Sequence, residues 1–295
     1  MNIVGIDIGG TNFRIGLVDE CGNTKKLEKV KVGSVFYLND PLDDLVRKIK
    51  DFTKDIEYQA ISIGFPATMN LNRTKVIQAP NIAFMENLPV CEVLEEKLQV
   101  PVVAERDVTF ALYYDVKKYS LPEEEIICGI YFGTGIGNAI LINGKPLAGQ
   151  HGCAGEIGHI PVFGSKEPCG CGNFGCIEAV AGGKALAKIQ QEFYPDTLIE
   201  DMFSKHSDDL IVKNIVELMA NTVATEVNIL DPAYVLLGGG VFKMKDFPIE
   251  LFEEFVQKKI RKPLPLSEMK LIYADDEKDK SVVGGALYTR RKLRM

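Results

Sequence analysis

A chain of 295 residues, 46% hydrophobic and 25% charged, has the composition of an ordinary globular protein, which excludes disorder and a coiled coil; its length suggests about two domains. Its 34 basic and 41 acidic side chains leave a net charge of −7, the wrong sign for general nucleic-acid binding. No apolar run reaches the roughly 18 residues of a membrane span, and the opening MNIVGIDIGG enters a strand without a basic segment or cleavage site, so a cytoplasmic protein with no membrane or nucleic-acid partner is expected.

In chain order, the hydrophobic periods predict a buried strand at 2–8, a second at 12–19 with Phe13, Ile15 and Leu17 on one face, and a polar edge strand at 24–32. A helix at 41–55 places Leu42, Leu45, Val46 and Ile49 on its apolar side. A strand at 59–64, a helix at 91–98, a short strand at 100–104 and a helix at 107–118 follow. The second half repeats the logic with strands at 126–132 and 137–142, then a Gly- and Cys-rich stretch of weak periodicity, 149–177. Helices near 177–191, 197–204 and 209–230, a strand at 233–237, a helix at 246–260, a strand at 269–273 and a last helix at 281–291 complete the chain. Asp231-Pro232 and Lys262-Pro263 read as helix stops. Both halves open as strand, glycine turn, strand. This suggests two related α/β domains facing a cleft: residues 1–106 with 281–295, and residues 107–280.

The glycine turns carry the first chemical signal. Residues 7–14 read Asp-Ile-Gly-Gly-Thr-Asn-Phe-Arg. Gly9 and Gly10 can take positive φ and admit a ligand to the backbone N–H groups. Successive N–H groups form an anion nest, Thr11 adds a hydroxyl, and Asp7 is suited to hold Mg²⁺ through water; a plain hairpin turn is the alternative. Residues 133–137, Gly-Thr-Gly-Ile-Gly, lack the spacing of a dinucleotide fingerprint, and Asn138–Ile142 continues as a strand rather than a helix. They read as a second phosphate clamp or another plain turn. Gly238, Gly239 and Gly240 follow a strand and leave either a flat place for a purine or a tight strand-to-helix turn.

Seven cysteines are too few, and odd, for a disulfide scaffold. Four are scattered, but Cys169, Cys171 and Cys176 cluster in CGCGNFGC. With His159 they supply one imidazole and three thiolates, which suits tetrahedral Zn²⁺ in a closed structural site. Glycines at 170, 172 and 175 make the tight wrap feasible; buried thiols without a ligand are the alternative. His151 and His206 have no such context.

In this order, DxGGTxxR, GTGIG and GGG resemble the sugar kinases of the actin/hexokinase superfamily. The string Gly155-Glu156-Ile157-Gly158-His159 and CGCGxxGC resemble the marks of its ROK group (repressors, ORFs and kinases), and the resemblance spans residue 3 to about 290. It implies two RNase H-like domains around a central cleft, with ATP and Mg²⁺ at Asp7, Gly9, Gly10, Thr11, Asn12 and Arg14, at Gly133, Thr134, Gly135 and Gly137, and at Gly238–Gly240. It implies the same four zinc ligands and phosphorylation of a hexose at its 6-hydroxyl. Asp107 falls on the catalytic Asp of the family's Glu-Asn-Asp string and becomes the general base, although from the residues alone an N-cap is the stronger reading. Glu156, His159 and Glu178 fall on the family's sugar contacts, where a carboxylate suits paired hydroxyls. His159 would bind zinc through one nitrogen and sugar through the other. Gly64, Pro66 and Ala67 resemble the turn bordering the sugar, Asn81 adds polar lining, and a homo-oligomer, a dimer, is expected.

Two departures matter. Arg106 stands where glucokinase-type members have Asn, and Arg is only a donor. The string Glu105-Arg106-Asp107, with Tyr114-Asp115-Val116 and His151-Gly152, resembles the D-allose kinase branch, and allose differs from glucose at C3, near where that Asn would act. The alternative turns Arg106 outward to pair with Glu105 or Asp115. Second, Ala181-Gly182-Gly183 replaces the Ser-Gly of many relatives. Glucose, N-acetylhexosamine and fructose kinases remain the competing activities. A sugar-responsive repressor of the group is disfavoured, since its helix-turn-helix domain would precede the first strand and only six residues precede Asp7.

Overall fold

The hydrophobic pattern is realised as two five-stranded sheets in a computed structural model that describes residues 1–37, 40–275 and 277–295. The chain divides into two units: Met1–Leu121 with Ala148–Ala154 and Glu277–Met295, and Pro122–Leu147 with Gly155–Asp276. Unit 1 begins with β1 (Ile3–Ile8), β2 (Asn12–Val18) and β3 (Thr24–Lys31). Then come α1 (Pro41–Phe52), β4 (Ala60–Phe65), a small hairpin of β5 (Thr68–Met69) and β6 (Val76–Gln78), α2 (Val90–Leu98), β7 (Val102–Arg106) and α3 (Asp107–Lys118). Helix α1 starts where two signals coincide: Pro41 opens it, and the Asp40 carboxylate accepts the N–H groups of Leu42 and Asp43 at 2.8 and 3.2 Å. The sheet order is β3-β2-β1-β4-β7, with the β1–β2–β3 pairs antiparallel and β1–β4–β7 parallel. Strand β1 is buried along its whole length, and Ile6, Ile8, Phe13, Ile15, Leu45 and Ile49 form the core beneath α1 and α2.

Unit 2 contains β8 (Ile126–Phe132), β9 (Ile136–Ile142), β10 (Lys145–Pro146), α4 (Glu178–Ala181), α5 (Gly183–Phe193), α6 (Met202–His206) and α7 (Leu210–Leu230). It closes with β11 (Tyr234–Gly238), α8 (Ile249–Lys259) and β12 (Lys270–Tyr273). Its sheet runs β10-β9-β8-β11-β12, again antiparallel for the first three and parallel for the rest. Both sheets therefore have the RNase H-like order expected from the repeated strand–turn–strand opening.

The last helix, α9 (Lys280–Leu293), returns to unit 1, where Val282, Val283 and Ala286 pack on Ile3, Val18 and Ala60. It lies so close to α3 that a Cβ on Gly284 would stand 1.8 Å from the Phe110 carbonyl oxygen. The buried pair Lys280–Asp115, 2.6 Å apart, ties the same two helices. This packing draws α3 into unit 1, so the expected division at 106 lies at 121 instead.

Other expectations shift for local reasons. The helix expected at 177–191 breaks at Gly182 into α4 and α5. The one at 197–204 is a 3₁₀ turn at 199–201 followed by α6. The strand expected at 100–104 starts after Pro101 and runs through Arg106. Asp231 ends α7 in the left-handed region (φ 48°), whereas α8 stops at Lys259, before the Lys262-Pro263 signal. Strands β5, β6 and β10 are too short for periodicity to show. Among the described residues, no helix is long and apolar enough to cross a membrane.

Candidate functional site

In unit 1 the strand register gathers the acids. Asp7 on β1 lies beside Gly64 on β4, which lies beside Glu105 on β7. These are the carboxyl ends of parallel strands, where open α/β sheets place ligands. Arg14, the register partner of Asp7 on β2, donates from Nη1 to Asp7 Oδ2 at 2.7 Å. Burial pushes the Asp7 carboxyl above the usual range, and Arg14 pulls it back. Asp107 opens α3, and its Oδ1 accepts the Val108 N–H at 2.8 Å. Burial first, then the charge of Asp7, push the Asp107 pKa up to about 6. The N-cap reading of Asp107 does not hold, because Arg106 occupies the cap position, with no side-chain cap, and Asp107 is the first helical residue.

Arg106 is not turned outward. It is 6% exposed, and its Nη2 donates to the Ala154 carbonyl at 3.1 Å. Glu105 lies 2.9 Å from the buried Arg73, and Asp115 is taken by Lys280. No sequence pattern marks Arg73, which sits in a polar turn between two strands too short to predict.

The turn between β1 and β2 differs from a simple nest. The Gly9 N–H closes the turn on the Asn12 carbonyl at 2.9 Å, and neither Gly9 nor Gly10 takes positive φ. Gly10 and Thr11 form the exposed tip. Asn81, expected near the sugar, stands against Gly10, where an added Cβ would meet its side chain at 3.1 Å. Pro66 and Ala67 lie half-buried between β4 and β5.

In unit 2 the β8–β9 turn is bound on its inner side. Gly133 N–H donates to Gly135 O at 3.0 Å, and the carbonyls of Gly133 and Thr134 accept the N–H groups of Gly183 and Lys184 at 2.8 and 3.0 Å. A Cβ on Gly183 would stand 2.5 Å from the Gly133 carbonyl oxygen, which explains why Gly182-Gly183 stands at the break between α4 and α5. Thr134 is left exposed at the tip, while Gly137 is already within β9. Gly238 ends β11 beside Tyr131, Gly239 has φ +98°, and Gly240 has no neighbour within 4 Å of where a Cβ would be. The first two glycines serve packing; the third leaves an open face.

The same unit brings Glu156, His159 and Glu178 together. His159 Nε2 faces Glu156 Oε2 at 3.7 Å, and its Nδ1 lies 3.9 Å from Glu178 Oε1. Glu178 Oε2 accepts the Ile136 N–H at 3.3 Å. The donor atoms of His159, Cys169, Cys171 and Cys176 all lie within 4.8 Å of one another. Cys171 and Cys176 Sγ are 3.7 Å apart, and Cys169 Sγ is 3.6 Å from His159 Nδ1. A disulfide needs about 2.05 Å. Tetrahedral zinc with Zn–S near 2.3 Å and Zn–N near 2.05 Å sets the sulfurs about 3.8 Å apart and sulfur and nitrogen about 3.6 Å apart. Donor chemistry and spacing both fit that ion. Gly172 and Gly175, at φ +95° and +75°, provide the reversals that bring three thiols to one point.

Residues 3–292 match the sequence model described as the ROK family. A glucokinase of Thermotoga maritima is 28% identical over 266 residues, 82% of this chain and 82% of that protein. An N-acetyl-D-glucosamine kinase of Haemophilus influenzae is 28% identical over 264 residues, 80% of this chain and 83% of that protein. Among solved structures, a ROK family glucokinase from Streptomyces griseus, in complex with glucose and AMPPNP, superposes with a TM-score of 0.80 at 23% identity, covering 99% of this chain and 100% of that one.

Proposed function

The chain belongs to the ROK family, and from that premise we propose that it is an ATP-dependent kinase that phosphorylates a hexose at its 6-hydroxyl, with D-allose the preferred hexose. Asp107 carries this reading. A carboxyl with a pKa of about 6 is ionised near neutral pH yet basic enough to take a proton from an attacking alcohol. The hexose 6-oxygen bonds to the γ-phosphorus, the bond from that phosphorus to the bridging oxygen of ADP breaks, and the hydroxyl proton passes to the Asp107 carboxylate. Within unit 1 the exposed tip at Gly10–Thr11 suits a phosphate; within unit 2 the exposed tip at Thr134 suits a phosphate and the open face at Gly240 suits a base.

Asp7 is an acid whose cost of burial Arg14 only partly offsets, a fitting place for a water-coordinated Mg²⁺. That ion would supply positive charge for the β- and γ-phosphates. Glu156 and Glu178 would accept hydrogen bonds from ring hydroxyls. His159 would direct Nε2 to the sugar and Nδ1 to a structural Zn²⁺ shared with Cys169, Cys171 and Cys176, so that the metal fixes the ring's orientation.

The preference for allose rests on Arg106. It is buried next to the base, where an amide would offer an acceptor to the 3-hydroxyl of glucose. A guanidinium offers none, so glucose meets an unmatched site and its C3 epimer does not. Phosphorylation of glucose or an N-acetylhexosamine is the second reading, favoured by the names of the relatives. Turnover of a panel of hexoses with ATP and Mg²⁺ decides between them: kcat/KM is expected to be highest for allose, and a wild-type preference for glucose would overturn the assignment.

A further inference from the structure

Arg73 is a costly residue for its place. It stands in the turn between β5 and β6 with φ +57°, in the left-handed region that glycine and asparagine occupy more easily. Its own N–H closes that turn on the Asn70 carbonyl at 2.9 Å. Its side chain is nonetheless 6% exposed. Nε lies 2.9 Å from Glu105 Oε1, and Nη1 donates to the Gly152 carbonyl at 2.8 Å. Glu105 Oε1 also accepts the backbone N–H of Arg106 at 2.9 Å, and Arg106 Nη2 holds the Ala154 carbonyl. One carboxylate at the end of β7 is thereby joined to two arginines, each gripping a carbonyl of the segment Ala148–Ala154. That segment runs directly into Gly155 and Glu156 in the chain, and Glu105-Arg106 runs directly into Asp107.

We propose that Arg73 is a positioning residue, which through Glu105 and the Gly152 carbonyl fixes segment 148–154 and the seat of Arg106, and so sets hexose affinity. The inference rests on the hexose-kinase reading above. Its physical basis is the fork of the guanidinium, whose Nε and Nη1 serve two partners in different directions, something an ammonium at the end of a flexible stem does poorly. Without the fork, a buried carboxylate loses its ion pair and a carbonyl loses its donor. The chain accepts a strained turn to keep both.

The test compares wild type, Arg73→Asn, Arg73→Lys and the double variant Arg73→Asn with Glu105→Gln. Asn suits the left-handed turn, and the double variant removes both charges together, so it remains informative if the single variant strands Glu105 and fails to fold. Hydrogen exchange at 148–154 should quicken in Arg73→Asn and in the double variant, with β8 and β9 unchanged. The hexose KM should rise about tenfold or more, with kcat within about threefold and the ATP KM unchanged, since a displaced positioning group costs substrate alignment. Arg73→Lys should recover only part of the loss. A merely structural role would lower kcat through a smaller active fraction and leave KM alone; that result, or unchanged exchange at 148–154, overturns the proposal. A wild type that phosphorylates no hexose removes the kinase reading, while the exchange comparison still supports or overturns the hold of Arg73 on the segment.

Discussion

Units 1 and 2 lay five strands in the same order but put different chemistry at the same strand ends. In unit 1 the ends of β1 and β7 carry charge: Asp7, Glu105, Arg106 and, one residue on, Asp107, with Arg14 and Arg73 brought against them. In unit 2 the ends of β8 and β11 meet Gly133 and Gly238, and the charged groups come instead from Glu156 and His159, in the insertion that begins at Gly155, and from Glu178, which opens α4. Buried acids at strand ends need cationic partners or a raised pKa, and unit 1 shows both. The insertion of unit 2 has the opposite problem. Phe163 and Phe174 stand 106% and 70% exposed, so this segment has little core of its own, and the proposed zinc site at His159, Cys169, Cys171 and Cys176 would substitute for one.

The sharpest way to break this contrast is Asp107→Asn. It keeps the shape and removes the base, and kcat should fall by about 10²–10⁴-fold while the hexose still binds. Wild-type kcat/KM should fall as pH drops through about 6, because the folded-state pKa lies above the usual Asp value and the base must be ionised to act. A variant that turns over at near wild-type rate ends the assignment.

Cys171→Ser tests unit 2. Purified wild type should hold close to one zinc per chain, and the variant should lose it. Tm should drop by about 3 °C for about 2 kcal/mol of stability lost with the metal, while the acid limb set by Asp107 stays in place. Full zinc retention, measured by metal analysis, would remove Cys171 from the site.

A finer contrast comes from two glycines. Gly183→Ala would drive a Cβ into the Gly133 carbonyl, and Gly284→Ala would drive one into that of Phe110. Each should cost about 1–3 kcal/mol, the usual range for overpacking. Only the first should raise the ATP KM, because only it moves the β8–β9 turn. Equal effects on ATP KM would mean that this turn does not hold phosphate.

The smallest expected change belongs to Arg106→Asn. The ratio of kcat/KM for glucose over allose should rise by about tenfold, or about 1.4 kcal/mol. A ratio that does not move toward glucose would locate selectivity elsewhere.

The chain determined by itself whatever depends on neighbours in sequence. The six-residue burial of β1, the Asp40-Pro41 start of α1, the two strand–glycine–strand openings and the CGCGNFGC cluster are all local patterns, set by side-chain period, capping chemistry and ligand count. The tertiary structure decided what depends on distant residues. Register across β1, β4 and β7 put Asp7 beside Gly64 and Gly64 beside Glu105, although nearly 100 residues separate the first from the last. The close approach of α9 moved α3 into unit 1 and overrode the reading of a division at 106. The N-cap reading of Asp107 failed because β7 runs through Arg106 and leaves that residue, not Asp107, at the cap. Arg73 could not be found at all from a polar turn: its meaning lies in Glu105 and Gly152, partners 32 and 79 residues away in the chain, and only folding brings a guanidinium within reach of both.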